Sequence, residues 1–409
     1  MAVLLFHSMS KTLFLFLAAL STVALADEEK SPLSYNLFPV ALRLHGVGGV
    51  VGAGARVRYE GGPTLLAGGG LGSAAGFGAQ ISSIPVGLDF LKLSFFAGKL
   101  YRADFDTYYT RNLDSGSSFR QRISGDIWGG AFDVTPVEDQ LFFSFGFLKS
   151  LARLDGYSSS TSGKAIFAER GPLHDIENFS LTGRLTYQDL DSSALPTRGF
   201  RASLAGASQS GRIAQIDQLV LQYSATAYFP VAPHVTVTGR FWGSDSVPLS
   251  SSIYSDPARV AAALGTNCSA AGDAEAVQDC TALKARLADY IAASNSYGTA
   301  LPVGGAYSLR GYREMRYRAA HTQLLGVEAR WVFSKDLDLP YFGKTGPDLE
   351  LSPFVELGAA KDRLSHLYTA LRPVFGIGLK VLLAELPLRL ETAWGQEGWA
   401  WYFTVGHTW

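Results

Sequence analysis

The C-terminal half of this 409-residue chain repeatedly alternates apolar and polar residues. In residues 218–229, one face carries Leu219, Leu221, Tyr223, Ala225, Ala227 and Phe229, and the other carries Gln218, Gln222, Ser224 and Thr226. Residues 179–188, 371–383 and 386–394 repeat the pattern. Because successive side chains of a strand point to opposite faces, a period of two predicts a series of β-strands, each with one apolar face.

A soluble β-sandwich and a membrane β-barrel both alternate in this way, and three features favour the barrel. The apolar faces are almost continuously aliphatic, aromatic residues collect near segment ends, and the other faces carry Gly, Ser, Thr and paired charges. These are the lipid-facing band, the interfacial girdle and the wet lumen of a barrel. The fold class we predict is therefore all-β, a transmembrane antiparallel β-barrel.

The strands predicted in the C-terminal part of the chain are 178–188, 199–207, 217–229, 234–242, 321–333, 349–360, 371–384, 386–396 and 399–409. In the N-terminal part, apolar runs predict strands at 41–58, 74–84, 90–98, 121–133 and 140–149. The final strand places Trp401, Phe403 and Trp409 on one face. A barrel must pair its last strand with its first, because lipid offers no hydrogen bonds to a bare strand edge.

The first residues have the character of an export signal. Lys11 precedes the apolar run 13–20, and Ala24-Leu25-Ala26 forms a small-x-small cleavage site. We predict a signal peptide at 1–26, a short periplasmic leader at 27–40 and the barrel at 41–409. The alternative is a membrane anchor, but the apolar core is shorter than the roughly 20 residues that span a bilayer.

Composition and motifs argue against several other functions. The net charge of −1 does not provide the basic surface of a nucleic-acid-binding protein. Seven scattered histidines and two cysteines form no ligand pattern, and the sequence lacks the His-Glu-x-x-His, Gly-x-Ser-x-Gly and phosphate-loop motifs. We expect no cofactor, no metal and no enzymatic activity, although a lipid-acting serine paired with His321 remains an open alternative.

One segment interrupts the alternation. Residues 244–302 contain helical spacing, most clearly at 274–293, and they begin a long loop predicted to run over 244–320. Cys268 and Cys280 lie in this segment, and export to an oxidising compartment predicts a disulfide between them. That disulfide either has a functional role or only stabilises an exposed loop. The segment either faces the cell exterior or folds into the lumen.

The residues after this segment carry a family resemblance. Residues 302–312 read Pro-Val-Gly-Gly-Ala-Tyr-Ser-Leu-Arg-Gly-Tyr, which resembles the sixth-extracellular-loop motif of the BamA/TamA superfamily, also called the bacterial surface antigen barrel. The Pro-Thr-Arg-Gly turn at 196–199, the strand 326–330 and the Phe-x-Glu-x-Gly strand 354–358 follow the family's order. The resemblance covers roughly 187–409, where Glu356 stands in place of the family's Asp.

The resemblance implies a barrel of sixteen strands in the outer membrane of a Gram-negative-type bacterium. It also implies that the C-terminal strand, with Phe403, Gly406 and Trp409, is the signal read by the barrel-assembly machinery. Family members carry periplasmic POTRA modules, for which the leader 27–40 leaves no room. We therefore expect a barrel-only member, whose client capture depends on a periplasmic partner that replaces these modules.

The alternation also bears on the partners that are available to Arg310. Glu328 and Glu356 lie on the polar faces of consecutive predicted strands, so both carboxylates point into the lumen and repel each other unless a cation separates them. A guanidinium on the preceding loop can bridge two carboxylates. The spacing alone favours a solvated basic loop, because Arg313, Arg316 and Arg318 follow. The family resemblance implies instead a loop clamped inside the lumen, formed by Leu309, Arg310, Gly311, Tyr312, Glu328, Phe354, Glu356 and Gly358.

Glycines crowd the first predicted strand, 41–58. Gly46, Gly48, Gly49, Gly52 and Gly54 weaken it, so its contact with 399–409 is expected to be a lateral seam that opens. An opened edge can template another strand by β-augmentation, the mechanism proposed for the resembled family. The alternative is that the glycines only accommodate barrel curvature.

Two functions follow from these expectations. The first is insertion or translocation of a protein client, an unfolded β-barrel or a secreted protein, through the seam or a loop-gated pore in contact with outer-membrane lipids. The second is a passive channel or structural barrel without insertase activity.

Overall fold

The computed structural model describes residues 33–44, 48–88, 90–108, 111, 118–159, 165–166, 175–192, 195–211, 216–264, 267–270, 273–334, 348–383 and 386–405. Within them, sixteen strands form one antiparallel sheet. The strands are β1 Leu33–Leu44, β2 Gly48–Tyr59, β3 Thr64–Gly72, β4 Ala74–Pro85, β5 Leu91–Tyr108, β6 Ser118–Val137, β7 Leu141–Ser159, β8 Asp175–Leu190, β9 Gly199–Gly211, β10 Gln218–Ala232, β11 Val235–Pro248, β12 His321–Ser334, β13 Asp348–Lys361, β14 Arg372–Leu383, β15 Leu386–Gly395 and β16 Gly398–Val405. The two-residue segment Ala165–Ile166 pairs with the end of β7.

Each strand pairs with its neighbour in the sequence, from β1 with β2 through to β15 with β16. An even number of antiparallel strands brings the last strand antiparallel to the first. In the described part of the chain, β1 and β16 are joined through one residue pair, Arg43 with Phe403. Pairing therefore does not close the sheet along the length of these two strands.

The alternation seen in the sequence separates an outer face from a lumen. On β12, Leu325, Val327 and Trp331 are 48%, 55% and 49% exposed, whereas Thr322 and Glu328 on the opposite face are buried. An apolar and unburied outer face is typical of a barrel surrounded by lipid rather than by a protein core. The all-β barrel fold predicted from the sequence is confirmed.

The connection between β11 and β12 is the long insertion. It contains α1 (Pro257–Ala263), α2 (Ala274–Tyr297) and two 3-10 turns, Ile253–Ser255 and Cys268–Ala270. Asp256 and Asp273 cap the two helices by accepting backbone N–H bonds. The helices pack on each other through Val260, Leu264, Leu283, Leu287, Ala288, Tyr290 and Ala292. The predicted disulfide between Cys268 and Cys280 is present and ties the start of α2 to the preceding turn.

Among the described residues, no helix combines the length and apolar character needed to cross a bilayer.

The structure corrects the predicted N-terminal boundaries. The stretch 41–58 takes in the end of β1 and all of β2 except Tyr59, and residues 33–40, assigned to the leader, already lie in β1. Strand β3 was missed altogether. Both errors arise because glycine on both faces hides the period of two and the turn between strands. The signal peptide 1–26, Gly46, Gly406 and Trp409 lie outside the described residues.

The glycine-rich run is therefore not the seam strand. Gly48, Gly49, Gly52 and Gly54 lie on β2, which pairs with β1 on one side and β3 on the other. At Gly52, an added Cβ would lie 2.1 Å from the carbonyl oxygen of Gly69 on β3. This glycine permits a close approach of two strands. The strand that adjoins β16 is β1.

The insertion also begins later than predicted. Strand β11 continues to Pro248, past the boundary at 244, because Ser244 and Asp245 still pair with both neighbouring strands and Ser246 still pairs with β10. Their polar character ends the apolar alternation before the strand itself ends. The loop between β11 and β12 is 249–320 rather than 244–320.

Candidate functional site: a loop held inside the lumen

The segment that carries the Arg310 motif forms a loop that two backbone hydrogen bonds close. Val303 and Tyr317 exchange backbone hydrogen bonds of 3.0 and 2.9 Å, which makes residues 304–316 a closed loop. Gly304 and Gly305 have φ of +122° and +110°, a region that favours glycine, and they turn the chain at the start of the loop. We call residues 303–317 the motif loop.

The centre of the motif loop is Arg310, whose side chain is fully buried. Its Nε donates to Glu356 Oε1 at 2.8 Å, and its backbone N–H donates to Glu356 Oε2 at 2.8 Å. Its Nη1 donates to Glu328 at 3.0 Å and to Glu391 at 2.8 Å. The guanidinium also lies over the ring of Phe354, 3.3 Å from the ring centroid. One cation thereby contacts carboxylates on β12, β13 and β15.

Further charges extend this cluster. Lys380 on β14 donates to Glu328 at 2.6 Å and to Glu350 at 2.8 Å, and Arg389 on β15 pairs with Glu391. The lumen-clamp cluster thus consists of Arg310, Lys380, Arg389, Glu328, Glu350, Glu356 and Glu391. Burial disfavours every one of these charges, so the cluster depends on each having an opposite charge within bonding distance.

The structure brings together Arg310, Glu328 and Glu356, which the sequence had indicated as partners. The other members of the cluster were not predicted. The alternation already places Lys380, Arg389 and Glu391 on lumen faces. That signal gives the face and not the height of a residue along the barrel. Height depends on the register between strands, which sequence spacing does not supply.

Three glycines make the wall against which the motif loop packs. A Cβ on Gly358 would lie 2.5 Å from Leu309, and one on Gly395 would lie 3.0 Å from the ring of Tyr312. A Cβ on Gly376 would lie 2.4 Å from Phe354, the ring beneath Arg310. These positions lie on β13, β15 and β14. The lumen wall is flat here because side chains are absent, and the motif loop fills the space.

Other contacts hold the end of the motif loop. The Tyr402 hydroxyl donates to the carbonyl oxygen of Tyr312 at 2.7 Å, and the backbone N–H of Gln396 donates to the Tyr312 hydroxyl at 3.2 Å. Arg316 is buried and donates from Nε to Glu397 at 2.8 and 2.9 Å. The alternative of a solvated basic loop is therefore wrong for Arg316.

Glu314 is a loop carboxylate with few partners. Its Oε1 accepts the backbone N–H of Ala306 at 2.8 Å. Burial raises the pKa of Glu314 to about 7, while the Ala306 hydrogen bond acts in the opposite direction. Arg310 responds differently to its surroundings. Burial alone would lower the pKa of Arg310, but the carboxylates of Glu356, Glu391 and Glu328 raise it above its ordinary value.

A second ion pair ties the mouth of the barrel. Arg111, from the connection between β5 and β6, donates from Nε to Asp362 at 2.9 and 3.1 Å, just after β13. It also donates from Nη1 to the Ser294 and Thr299 hydroxyls at 2.9 and 3.0 Å and from Nη2 to the Gly298 carbonyl at 2.6 Å, at the end of α2. We call this group the mouth latch. No sequence pattern predicts it, because Arg111 and Asp362 are 251 residues apart.

The mouth latch joins parts of the sheet that are far apart. Half of the strand order separates the β5–β6 connection from the β13–β14 connection. In a sixteen-stranded barrel, this places the two connections on opposite sides of the lumen. The ion pair therefore crosses the mouth, and Arg111 ties the end of α2 to it.

The fold is shared with solved structures of BamA and CdiB. BamA from Haemophilus ducreyi lacking POTRA domains 1-3 is similar to this chain at 13% identity and a TM-score of 0.54, over 98% of this chain and 78% of that one. CdiB from Acinetobacter baumannii (12%, 0.53) and CdiB from Escherichia coli (10%, 0.55) match 92% and 93% of this chain, which spans only 60% and 63% of their lengths. A comparison with curated protein sequences finds no match.

The sequence also matches a family. The profile of the Omp85 superfamily domain aligns with residues 70–409, most of the described barrel and the whole of the motif loop. The membership predicted from the residues around Arg310 is confirmed by this match. The chain belongs to the Omp85 superfamily.

Proposed function

We propose that this outer-membrane barrel, which is of the protein insertase and translocator type, inserts or translocates unfolded protein clients through a lateral opening between β1 and β16. The observation that carries the proposal is the pairing of these strands, which in the described residues consists of Arg43 with Phe403. By contrast, β1 pairs with β2 over its whole length, and β15 pairs with β16 over residues 388–395 and 398–405.

A poorly paired seam can act on a client strand. Backbone N–H and C=O groups that lack a partner in lipid are costly, so an unpaired edge favours the addition of another strand. A client strand that pairs with this edge is protected while it enters the bilayer. Phe403, whose side chain is exposed, pairs with Arg43 of β1, so it lies on the edge of β16 that such a strand would meet.

The lumen clamp has a supporting role in this proposal. Its cations and carboxylates connect β12, β13, β14 and β15, next to the seam strand β16. Their mutual contacts keep this wall rigid, so movement concentrates at the β1 edge. We propose that a periplasmic partner delivers the client and that outer-membrane lipids surround the open seam.

The test is client folding in liposomes with a seam that can be locked. Arg43→Cys and Phe403→Cys are combined in a background with Cys268→Ser and Cys280→Ser, so that the engineered pair forms the disulfide. A urea-denatured small outer-membrane barrel is added, and folded, protease-protected product is followed over time. The unlocked barrel should accelerate folding relative to empty liposomes, and the disulfide should abolish the acceleration until a reductant is added.

A matched control uses the same residue on its other side. Phe403 also pairs with Leu390 on β15. A disulfide between Leu390→Cys and Phe403→Cys therefore cross-links two strands that are already hydrogen-bonded along their length. This variant should accelerate client folding as the background does. Folding no faster than in empty liposomes, or equal inhibition by both cross-links, would refute the lateral opening.

A further inference from the structure

The lumen has two unlike halves. On the side of β11–β16 it is filled by the motif loop, and Arg310, Glu356 and Arg389 are 0–1% exposed. On the side of β8 and β9, Arg184 and Arg201 point inward yet are exposed. Inward-pointing side chains reach solvent only where the lumen is open. We call the lumen face of β2–β10 the open wall.

The register fixes which side chains belong to the open wall. Arg201 lies between Gln188 and the buried Thr226, and Thr226 in turn lies opposite Arg240. Arg184 lies between Ser144 and Ala205. Because directly opposed residues of paired strands share a face, these side chains all lie on the lumen side.

The open wall is cationic. Its described charged side chains are Arg56, Arg58, Lys92, Arg184, Arg201 and the carboxylate Asp133. Asp133 accepts a hydrogen bond from the Ser94 hydroxyl at 3.2 Å. Cations therefore outnumber carboxylates on this wall, whereas the carboxylates of the clamp cluster are paired within that cluster.

Two cavities are relevant here, one in this half of the lumen and one at the turns between strands. The first, of about 130 Å³, is lined by Arg184, Ser144, Ser180, Thr182, Gln209 and Gln222, together with Leu301 of the insertion. The second, of about 410 Å³, lies at the 195–197 and 233–234 turns and is lined by Arg330 but also by Asp348 and Glu350. The first cavity, with Arg184, is the one that lies on the open wall.

We propose that the space between the open wall and the folded-in insertion is an anion-selective path for small anions such as chloride and inorganic phosphate. Rings and rows of Arg or Lys select anions in pores because a confined, water-filled lumen focuses their field on the passing ion. Hydroxyl and amide groups between the arginines replace part of the hydration shell of the anion. This path does not involve the seam, so the proposal does not depend on client insertion.

The test is the reversal potential of the full-length barrel in planar bilayers under a potassium chloride gradient. The wild type should reverse with the sign of anion selectivity, and inorganic phosphate should also carry current. Arg184→Gln with Arg201→Gln should lose the anion preference, because both side chains keep their polarity and lose their charge. Heat-modifiable migration in gels reports whether the variant is folded.

The control removes two cations from the outside of the barrel. Lys99 and Lys149 pair with Asp126 and Glu177 on outward faces, and Lys99→Gln with Lys149→Gln should leave selectivity unchanged. A wild type that is cation-selective or non-selective would overturn the proposal. So would an Arg184/Arg201 variant with unchanged selectivity, or an absence of current in both the wild type and an Asp362→Asn variant with its mouth latch broken.

Discussion

Arg310 binds both oxygens of the Glu356 carboxylate, one through its backbone N–H and the other through Nε, each at 2.8 Å. The contact therefore fixes the chain of the motif loop as well as its side chain. A side-chain contact alone would leave the loop free to turn about its own backbone. With Nη1 on Glu328 and Glu391, the one residue links the loop to three strands of the barrel.

Removal of this guanidinium should be severely destabilising. Arg310→Ala leaves Glu328, Glu356 and Glu391 buried with fewer cations, and loss of one partner of a buried pair costs about 3–5 kcal/mol. We expect a lower urea midpoint in tryptophan-monitored unfolding and new protease cleavage in residues 303–317. Arg310→Lys should rescue little, because an ammonium lacks the fork that reaches three carboxylates. Unfolding of either variant at the wild-type midpoint would contradict the clamp.

The glycine wall makes a separate prediction. Gly358→Val should weaken the barrel by about 1–3 kcal/mol, the usual cost of overpacking, because its Cβ would lie 2.5 Å from Leu309. Leu309→Ala in the same protein should recover part of the loss by making room. Gly239→Val is the control, since nothing lies within 4 Å of its Cβ. The urea midpoints of the four proteins decide, and equal effects at 358 and 239 would rule out the packing argument.

The mouth latch predicts a change in both proteolysis and conductance. Asp362→Asn removes the charge that pairs with Arg111 and weakens its hold on the backbone N–H of Ala320, so α2 should become accessible to protease. In planar bilayers, the mean open conductance should rise because the ion pair no longer crosses the mouth.

The latch prediction also has a matched control. Arg259→Gln breaks an exposed pair with Asp256 on the same insertion, and such pairs contribute little. It should change neither readout. A conductance that rises equally in both variants, or in neither, would mean that the latch does not close the mouth.

The barrel was predictable from the sequence because lipid and lumen demand opposite residues at alternate positions. That demand weakens where glycine replaces both kinds of residue, which is why β1 and β2 merged and β3 was missed. The contact between Arg310 and Glu356 was predictable because charge complementarity and a family motif agreed. Lys380 and Arg389 were visible as lumen residues, but their partners depend on the strand register.

The mouth latch marks the limit of such reasoning. Arg111 lies in a short loop with no periodic pattern, and Asp362 follows a strand end. Nothing in the local sequence of either residue requires a partner, and only the opposite placement of their hairpins brings them together. Contacts of this kind depend on the curvature of the whole sheet around the lumen, which local sequence does not supply.

The motif loop should also respond to pH through Glu314. Burial raises the pKa of this carboxyl from 4.5 to about 7 in the folded protein. The folded state therefore binds this proton more tightly than the unfolded state, so the associated stability is complete below about pH 4.5 and is lost as the pH rises through about 7. Its titratable neighbours Tyr307 and Tyr402 do not interfere, because tyrosine ordinarily titrates near pH 10.

The measurement is the protease cleavage rate of residues 303–317 at a series of values between about pH 5 and pH 8. Cleavage of the wild type should speed up as the pH rises, after correction for the protease's own pH profile on an unfolded substrate. Glu314→Gln is the matched control, because its amide keeps the size of the side chain and stays neutral at every pH. Since other carboxylates titrate in both proteins, the difference between wild type and Glu314→Gln isolates the single group. If the two profiles run parallel across this range, Glu314 does not set the stability of the loop.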